Sequence, residues 1–263
     1  MTTSPSLVLP AGRTTADVVA AKHGRTIAAC IPARDEAATI ASVLAACGWL
    51  CDAGVLDDMV VVDDHSVDAT TSVARAMGAS VVANPGGPGK GQALRAAVAA
   101  STADVLVFLD ADVVNFSERF VADLALPLLT DPALQLVKAA YRRPLHGRPG
   151  EGGRVTELVA RPLLEHWFPE LAGFDQPLAG ECAVRRKALD GLTLAEGYGV
   201  EIGLLVDVYH RYGIEALAEV DLGERVHRNR PLVELRPHAR AVLDAVMARV
   251  SMGGWPPPSS PAT

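Results

Sequence analysis

Residues 105–112 read Val-Leu-Val-Phe-Leu-Asp-Ala-Asp, an unbroken apolar run followed at once by two carboxylates. Such a run predicts a strand that is buried on both faces, as in a parallel sheet covered by helices. In open α/β sheets, ligands bind beyond the carboxyl ends of the strands. We therefore expect Asp110 and Asp112 at a ligand-binding edge, where two carboxylates can share a Mg²⁺ or Mn²⁺ ion. The alternative is an acidic turn that caps the next helix, which is what most isolated DxD triplets represent.

Apolar runs alternate with helical spacing throughout the first half of the chain. Strands are predicted at Thr26–Ile31, Met59–Val62, Ser80–Ala83 and Val105–Leu109, and helices at Ile40–Leu50, Thr70–Met77 and Gln92–Ala100. Strands joined through helices form βαβ units. The pattern therefore predicts an α/β fold, with a parallel twisted sheet and helices on both faces.

The second half of the chain is less regular and predicts an α+β arrangement. The predicted elements are strands at Gln135–Tyr141 and Cys182–Val184, and helices at Val155–His166 (bent at Pro162), Val200–Tyr212 (closed by Gly213) and Ala239–Met247. Residues 25–251 are expected to form one domain. Residues 1–24, which show no sustained period, and residues 252–263, which are rich in Gly, Pro and Ser, predict flexible ends.

The composition excludes several classes of protein. A chain of 263 residues that is 49% hydrophobic and 21% charged can bury one full core. A net charge of −7, with Lys and Arg scattered, argues against general affinity for nucleic acid or for anionic membranes. No apolar run suits a signal peptide or a membrane span, so we expect a cytoplasmic protein. The four cysteines lack CxxC spacing and are expected to be buried thiols.

Two more acidic segments follow predicted strands, Pro32-Ala33-Arg34-Asp35-Glu36 and Asp63-Asp64-His65-Ser66. Because parallel strands end at one edge of a sheet, these segments should gather beside the DxD triplet. Their carboxylates could accept hydrogen bonds from a uracil imide and from ribose hydroxyls, with Glu36 and Asp64 as the candidates. For Asp35 and Asp68 we favour N-capping of the following helices.

A glycine-rich segment, Gly86-Gly87-Pro88-Gly89-Lys90-Gly91, precedes the helix predicted from Gln92. Flexible backbone and one cation near a helix N-terminus suit a phosphate. The segment is not a Walker A loop, because Gly91 stands where that motif needs Ser or Thr. A flexible surface loop is an equally good interpretation of this segment alone.

Five further blocks make the chain resemble the glucosyl-3-phosphoglycerate synthases, a family of retaining glycosyltransferases with the GT-A fold. The blocks are Val137–Leu145, Gly152–Leu164, Gln176–Glu181, Gly197–Asp207 and His227–Leu232. Several blocks in the right order are far more specific than one DxD triplet. The resemblance runs from about Ile27 to Arg249 and implies a Rossmann-like nucleotide-sugar-binding sheet in residues 25–113. It also implies an acceptor-binding half in residues 114–251.

The resemblance implies a reaction and the residues that perform it. Glucose would pass from UDP-glucose to 3-phosphoglycerate, giving glucosyl-3-phosphoglycerate and UDP, with Mg²⁺ or Mn²⁺ as cofactor. Nucleotide-sugar binding would involve Pro32, Ala33, Arg34, Glu36, Asp64, Lys90, Asp110, Ala111 and Glu201. The metal ligands would be Asp110, Asp112 and His227, and the acceptor-binding residues would be Arg154, Val155, Thr156, Tyr198, Gly199 and Asn229. The catalytic residues would be Asp112, Lys90 and Glu201, and a homodimer is suggested.

Physical reasoning supports these implied roles unequally. Arg154 follows two glycines at a predicted helix N-terminus, where a guanidinium fork and the helix dipole both favour an anion. Glu201 could equally be an ordinary first-turn acid of its helix. His227, among three arginines, and the Arg142-Arg143 pair could face solvent.

Three other functions stay open at this level. A related transferase could use GDP-mannose or a different acceptor, since few side chains distinguish epimeric hexoses. A catalytically silent nucleotide-sugar-binding paralogue is disfavoured by the complete set of predicted metal and anion ligands. A nucleotidyltransferase would need its glycine-rich loop after the first strand, where this chain has Pro32-Ala33-Arg34.

Overall fold

The structure, a computed structural model, describes residues 8–142, 153–225 and 232–252. Within these ranges the strands form one sheet of eight. They are β1 (Val8–Leu9), β2 (Ile27–Ala33), β3 (Asp58–Asp63), β4 (Ser80–Ala83), β5 (Val105–Phe108), β6 (Leu136–Arg142), β7 (Cys182–Arg185) and β8 (Leu217–Glu224). The order across the sheet is β1-β8-β6-β7-β5-β2-β3-β4. Strand β7 is antiparallel to both its neighbours, and the other pairs are parallel.

Helices cover both faces of the sheet. They are α1 (Thr15–Lys22), α2 (Ile40–Asp52), α3 (Thr70–Ala76), α4 (Lys90–Ala100), α5 (Glu118–Thr130), α6 (Arg161–Trp167), α7 (Arg186–Leu189), α8 (Val200–Tyr212) and α9 (Leu232–Met252). Residues of α1, α2, α3 and α5 pack into one apolar core. Residues of α4, α6, α7, α8 and α9 pack into the other. The α/β class predicted from the sequence is confirmed.

The strands of the first half are apolar without alternation because both their faces are buried. In β2, Ile27, Ala29 and Ile31 face one core, while Ala28 and Cys30 face the other, and all five are fully buried. This is the pattern of a parallel strand covered on both sides. Every predicted strand and helix of this half is confirmed, with ends that shift by at most two residues.

The second half contains elements that were not predicted. Helix α5 and strand β8 were missed, whereas the predicted helix Val200–Tyr212 is confirmed and ends at Gly213 with φ of 79°. Strand β8 is hard to predict because Glu219 lies fully buried inside it. The Glu219 carboxylate accepts hydrogen bonds from the backbone N–H groups of Asp175 and Gln176, at 2.7 and 2.9 Å. Burial raises its pKa to about 7 against the effect of those two bonds.

The predicted helix Val155–His166 consists of two parts. A π-helical turn spans Thr156–Ala160, and the regular helix α6 follows from Arg161. Pro162 is the second residue of α6 and follows this turn directly, so the helical backbone is continuous up to the proline. The predicted irregularity is therefore a π-helical turn before the proline.

The prediction that residues 1–24 are flexible is wrong for the described part of that segment. Strand β1 adds to the sheet beside β8, and α1 begins with a capping box between Thr14 and Asp17. Asp123, in α5 and 1% exposed, accepts hydrogen bonds from the N–H groups of Gly12 at 2.9 Å and Arg13 at 2.8 Å. A distant carboxylate thus fixes this segment. Residues 1–7 and 253–263 lie outside the described ranges.

The cysteines are free thiols in the described structure, as predicted. Cys30, Cys47 and Cys182 are buried, whereas Cys51 is only partly buried. Burial raises the pKa of Cys30 and of Cys47 to about 12, which leaves them as unreactive thiols. Across residues 8–142, 153–225 and 232–252, no helix combines the length and apolarity needed to cross a membrane.

We predict that Asp123→Ala lowers the free energy of unfolding by roughly 2 kcal/mol or more, because hydrogen bonds to a charged acceptor contribute about 1.5–3 kcal/mol each. Urea unfolding followed by circular dichroism measures the effect. The matched control is Asp244→Ala, which removes a carboxylate that is 58% exposed and pairs with Arg240 along α9. Equal stabilities of the two variants would contradict the proposed anchoring of the N-terminal segment.

Candidate active site

A cleft of about 780 Å³ lies at the carboxyl ends of β2, β3 and β5. Most residues predicted for the site line it, namely Pro32, Ala33, Arg34, Glu36, Asp64, Lys90, Asp110, Ala111, Asp112, Arg154, Val155, Thr156, Tyr198 and Glu201. The predicted ligands His227 and Asn229 lie outside the described residues, as does Arg143. The three strand exits therefore converge as the sequence predicts.

Lys90 lies in a buried cluster of charges at the N-terminus of α4. Its Nζ is 2.5 Å from Asp110 Oδ1 and 2.7 Å from Glu201 Oε1. Burial alone would lower the pKa of Lys90, but the two carboxylates raise it well above its ordinary value. The ammonium is therefore permanently charged. Gly89, the N-cap residue of α4, has no side chain that could cap the helix. The first backbone N–H groups of α4 can therefore donate hydrogen bonds to a bound anion.

A second buried cation, Arg225, bridges the two carboxylates of the DxD triplet. Its Nη2 donates to Asp110 Oδ2 at 2.7 Å and to Asp112 Oδ1 at 3.1 Å. Its Nε donates to Glu181 Oε1 at 2.7 Å, and Tyr141 donates its hydroxyl to Glu181 Oε2 at 2.9 Å. Arg225 and Glu181 were not predicted as site residues. The only sequence signals were their positions, next to His227 and inside the Gln176–Glu181 block.

Asp110 and Asp112 have the chemistry of a divalent metal site. Their side chains are 17% and 33% exposed, and both line the cleft. Burial, reinforced by the neighbouring Asp110, raises the pKa of Asp112 above its ordinary value. Among the described residues there is no cluster of three metal-ligating side chains, and the third predicted ligand, His227, lies beyond them. Two hard carboxylates fit Mg²⁺ or Mn²⁺, which take their other ligands from water and phosphate.

Gly180 allows this cluster to form. A Cβ atom at this position would lie 2.5 Å from both Asp110 Oδ1 and Lys90 Nζ, closer than any real contact. Any larger residue at this position, two residues before β7, would therefore displace the Asp110 carboxylate or the Lys90 ammonium. The role of Gly180 was not predicted, although it belongs to the Gln176–Glu181 block.

The loops after β2 and β3 are tied to each other. The Asp35 N–H donates to Ser66 Oγ at 3.1 Å, and Asp35 Oδ1 accepts from the Val67 N–H at 2.8 Å. Asp68 accepts from the Ala37 N–H at 3.0 Å and also from the first turn of α3. The prediction that Asp35 caps α2 is therefore wrong, because its side chain bonds to the neighbouring loop. The prediction that Asp68 is the N-cap residue is also wrong, because Ala69 occupies that position, although Asp68 accepts from the Thr70 N–H at 2.9 Å.

The glycine-rich loop is held in place by the same strand exits. Asp64 accepts from Asn84 Nδ2 at 2.6 Å and from the Gly89 N–H at 2.9 Å. The His65 ring nitrogen Nε2 lies 2.9 Å from the Gly86 carbonyl oxygen. The interpretation as a free surface loop is thus disfavoured. Asp64 lines the cleft while bracing this loop, and its contact with a base stays a prediction.

The same cleft is also lined by residues predicted to bind an acceptor. Arg154 is half-buried, and Gly153 before it has φ of 71°. Thr156 is 1% exposed, and its hydroxyl has no hydrogen-bond partner within the described part of the chain. Buried hydroxyls normally have a hydrogen-bond partner, and a ligand in the adjacent cleft would provide one for Thr156. The Tyr198 ring stacks on His238, with centroids 3.6 Å apart.

Gly199 differs from its neighbours because it is not part of the cleft wall. A Cβ atom there would lie 2.6 Å from the Ala241 carbonyl oxygen and 2.8 Å from the Ala245 Cβ. The glycine therefore lets α9 approach the turn at the start of α8. Close packing explains this residue without an acceptor contact.

Together, the sheet, the paired carboxylates and the loop before α4 define a GT-A-type nucleotide-sugar transferase. The glycosyl transferase family 2 model matches residues 28–189. The chain is 48% identical to the glucosyl-3-phosphoglycerate synthase of Mycolicibacterium paratuberculosis, over 90% of this chain and 76% of that protein. The chain belongs to the glucosyl-3-phosphoglycerate synthase family within glycosyl transferase family 2.

Solved structures of a relative agree with this assignment. The crystal structure of the Mycobacterium tuberculosis synthase in complex with Mn²⁺, UDP-glucose and phosphoglyceric acid matches with a TM-score of 0.85 and 45% identity. The match covers 95% of this chain and 86% of that one. Another structure of the same protein contains Mg²⁺ and UDP, also with a TM-score of 0.85.

We predict that Asn84→Ala loosens the glycine-rich loop. Asn84 is 4% exposed, bonds to Asp64 and to the Gly87 carbonyl, and accepts from the Gly86 N–H. Loss of these bonds should make amide hydrogen exchange in residues 86–91 about tenfold faster, as expected for about 1.4 kcal/mol of local opening free energy. Mass spectrometry measures this. Gln135→Ala, before β6 at the other end of the sheet, is the control, and unchanged exchange in the Asn84 variant would contradict the bracing role.

Proposed function

We propose that this protein transfers glucose from UDP-glucose to 3-phosphoglycerate and requires a divalent metal ion. The products are glucosyl-3-phosphoglycerate and UDP. The observation that carries the proposal is one cleft that is lined by paired carboxylates and a largely buried lysine, and also by an arginine and a threonine hydroxyl that has no partner among the described residues. The first pair of features suits a metal and a diphosphate, and the second suits a phosphorylated acid.

The residues that line the cleft have separate roles in the proposed reaction. Asp110 and Asp112, with His227, would hold Mg²⁺ or Mn²⁺, which when bound supplies positive charge to the departing diphosphate. Lys90 adds a fixed cation at the N-terminus of α4. Glu201, 9% exposed, orients Lys90 and has a second carboxylate oxygen for sugar hydroxyls. The enzyme therefore acts by alignment and electrostatics.

The remaining predicted residues complete the two substrate sites. Pro32, Ala33, Arg34, Glu36 and Asp64 surround the base and ribose, next to the loops tied together after β2 and β3. We propose that Arg154, Val155, Thr156, Tyr198 and Asn229 bind the acceptor. The acceptor hydroxyl attacks on the face that the diphosphate leaves, so the α anomer is retained, and the leaving phosphate takes the proton.

The cellular setting is proposed on separate grounds. The free cysteines suit a reducing compartment, and we propose a cytoplasmic location. A homodimer is proposed from the family and from exposed apolar side chains beside the cleft entrance. Leu158, Leu232 and Val233 are 71, 65 and 70% exposed and line a common groove.

The direct test offers the protein UDP-glucose, UDP-galactose, ADP-glucose or GDP-mannose together with 3-phosphoglycerate and Mg²⁺. NMR identifies the product and its anomeric configuration. We predict an α-glucoside from UDP-glucose and none after chelation of the metal. A mannoside from GDP-mannose would assign the related mannosyl transfer instead. The absence of any product would support a silent nucleotide-sugar-binding protein.

Arg154→Lys separates the acceptor site from the nucleotide site. Lysine keeps the charge but loses the bidentate fork, and one charge-assisted hydrogen bond contributes about 1.5–3 kcal/mol. We predict that the KM for 3-phosphoglycerate rises about ten- to a hundredfold while UDP affinity stays nearly constant. Steady-state kinetics and calorimetry measure the two constants. An unchanged acceptor KM would remove Arg154 from the site, and a loss of UDP affinity would place it on the donor side.

A further inference from the structure

We infer that Arg225 competes with the divalent ion for the Asp110 and Asp112 carboxylates, so that the ion binds tightly only together with a diphosphate. The inference rests on the proposed function. It assigns to Arg225 a positioning role that couples the two ligands.

Both carboxylate oxygens of Asp110 are already engaged by cations. Lys90 Nζ lies 2.5 Å from Oδ1, and Arg225 Nη2 lies 2.7 Å from Oδ2. The same Nη2 is 3.1 Å from Asp112 Oδ1. A divalent ion bonded at about 2.0–2.2 Å to these carboxylates would face the guanidinium at very short range. Repulsion between buried cations opposes that arrangement, because little water screens them.

Contacts on several sides prevent the Arg225 side chain from turning away into solvent. Its side chain is 4% exposed, and its Nε is bonded to Glu181, which is fully buried. The other Glu181 oxygen accepts from Tyr141, so the carboxylate is fixed on both sides. The Arg225 N–H also donates to the Arg142 carbonyl oxygen at 3.0 Å, which fixes the backbone. The guanidinium must therefore remain beside the metal site.

The net charge of the cluster shows how a diphosphate would change the competition. The cluster contains four carboxylates (Asp110, Asp112, Glu181 and Glu201) and two cations (Lys90 and Arg225), a net charge of −2. A diphosphate that enters beside Arg225 offers its guanidinium new acceptor oxygens. The Asp110 and Asp112 lone pairs then become free for the ion. Metal and diphosphate binding are thus coupled through one arginine, and the coupling is reciprocal.

The test measures Mn²⁺ affinity from the electron paramagnetic resonance signal of free Mn²⁺, without nucleotide and with saturating UDP. Arg225→Met removes the competing cation and keeps most of the side-chain volume. Without nucleotide, we expect this variant to bind Mn²⁺ about tenfold tighter than the wild type. The reason is that Mn²⁺ binding to the variant no longer has to break a charge-assisted hydrogen bond between Arg225 and the carboxylates. The enhancement of Mn²⁺ affinity by UDP should shrink by a similar factor.

Three further variants complete the test. Arg225→Met leaves the buried Glu181 charge unpaired and could fail to fold, whereas Glu181→Gln combined with Arg225→Met removes both charges and keeps an acceptor for Tyr141. This double variant should also bind Mn²⁺ about tenfold tighter than Glu181→Gln alone. Arg240→Met is the control, since Arg240 is 74% exposed and pairs with Asp244 along α9. Its Mn²⁺ affinity should equal that of the wild type.

The outcomes separate the possible explanations. Equal or weaker Mn²⁺ binding by the Arg225 variants without UDP overturns the inference, and weaker binding in both conditions is what a merely structural role predicts. If the wild type binds no Mn²⁺ even with UDP, the proposed function fails instead. Tighter binding without nucleotide, together with the smaller effect of UDP, supports the competition.

Discussion

The structure depends on one electrostatic constraint, the burial of a negatively charged cluster where β5 leaves the sheet. Asp110 is placed there by a strand that is apolar on both faces, and it is accompanied by Asp112, Glu181 and Glu201. Carboxylates in such a position must be paired or hydrogen-bonded. Lys90 and Arg225 supply the pairing, each in contact with two or three carboxylates.

The positions of Lys90 and Arg225 are related to the placement of the glycine-rich loop, β8 and Gly180. Lys90 opens α4, so the glycine-rich loop must end beside the DxD triplet, and Asp64 and Asn84 hold that loop. Arg225 follows β8, which pairs with β6, and reaches the DxD triplet beyond β5. Gly180 gives the cluster the space that any side chain would remove. The cleft is thus a preorganised environment in which charge is fixed before a ligand arrives.

The sequence predicted the parts that local patterns encode. The βαβ alternation, the DxD triplet after a buried strand and the loop before α4 each depend on neighbouring residues, and the structure agrees with them. Interactions between distant residues were not predicted. Arg225 and Asp110 are 115 positions apart, and Asp123 and Gly12 are 111 apart. A buried charge looks unfavourable in a sequence until its partner is known, which is why β8 with Glu219 and the ordered N-terminal segment were missed.

We infer that the charged cluster forms a joint site for a divalent ion and a diphosphate. Thermal unfolding of the wild-type protein with Mn²⁺ alone, with UDP alone and with both tests it most directly, since a ligand of the native state raises Tm. The account predicts that Tm rises more with both ligands than the sum of the two separate increases. Additive increases would show that the two ligands bind independently and would contradict the claim.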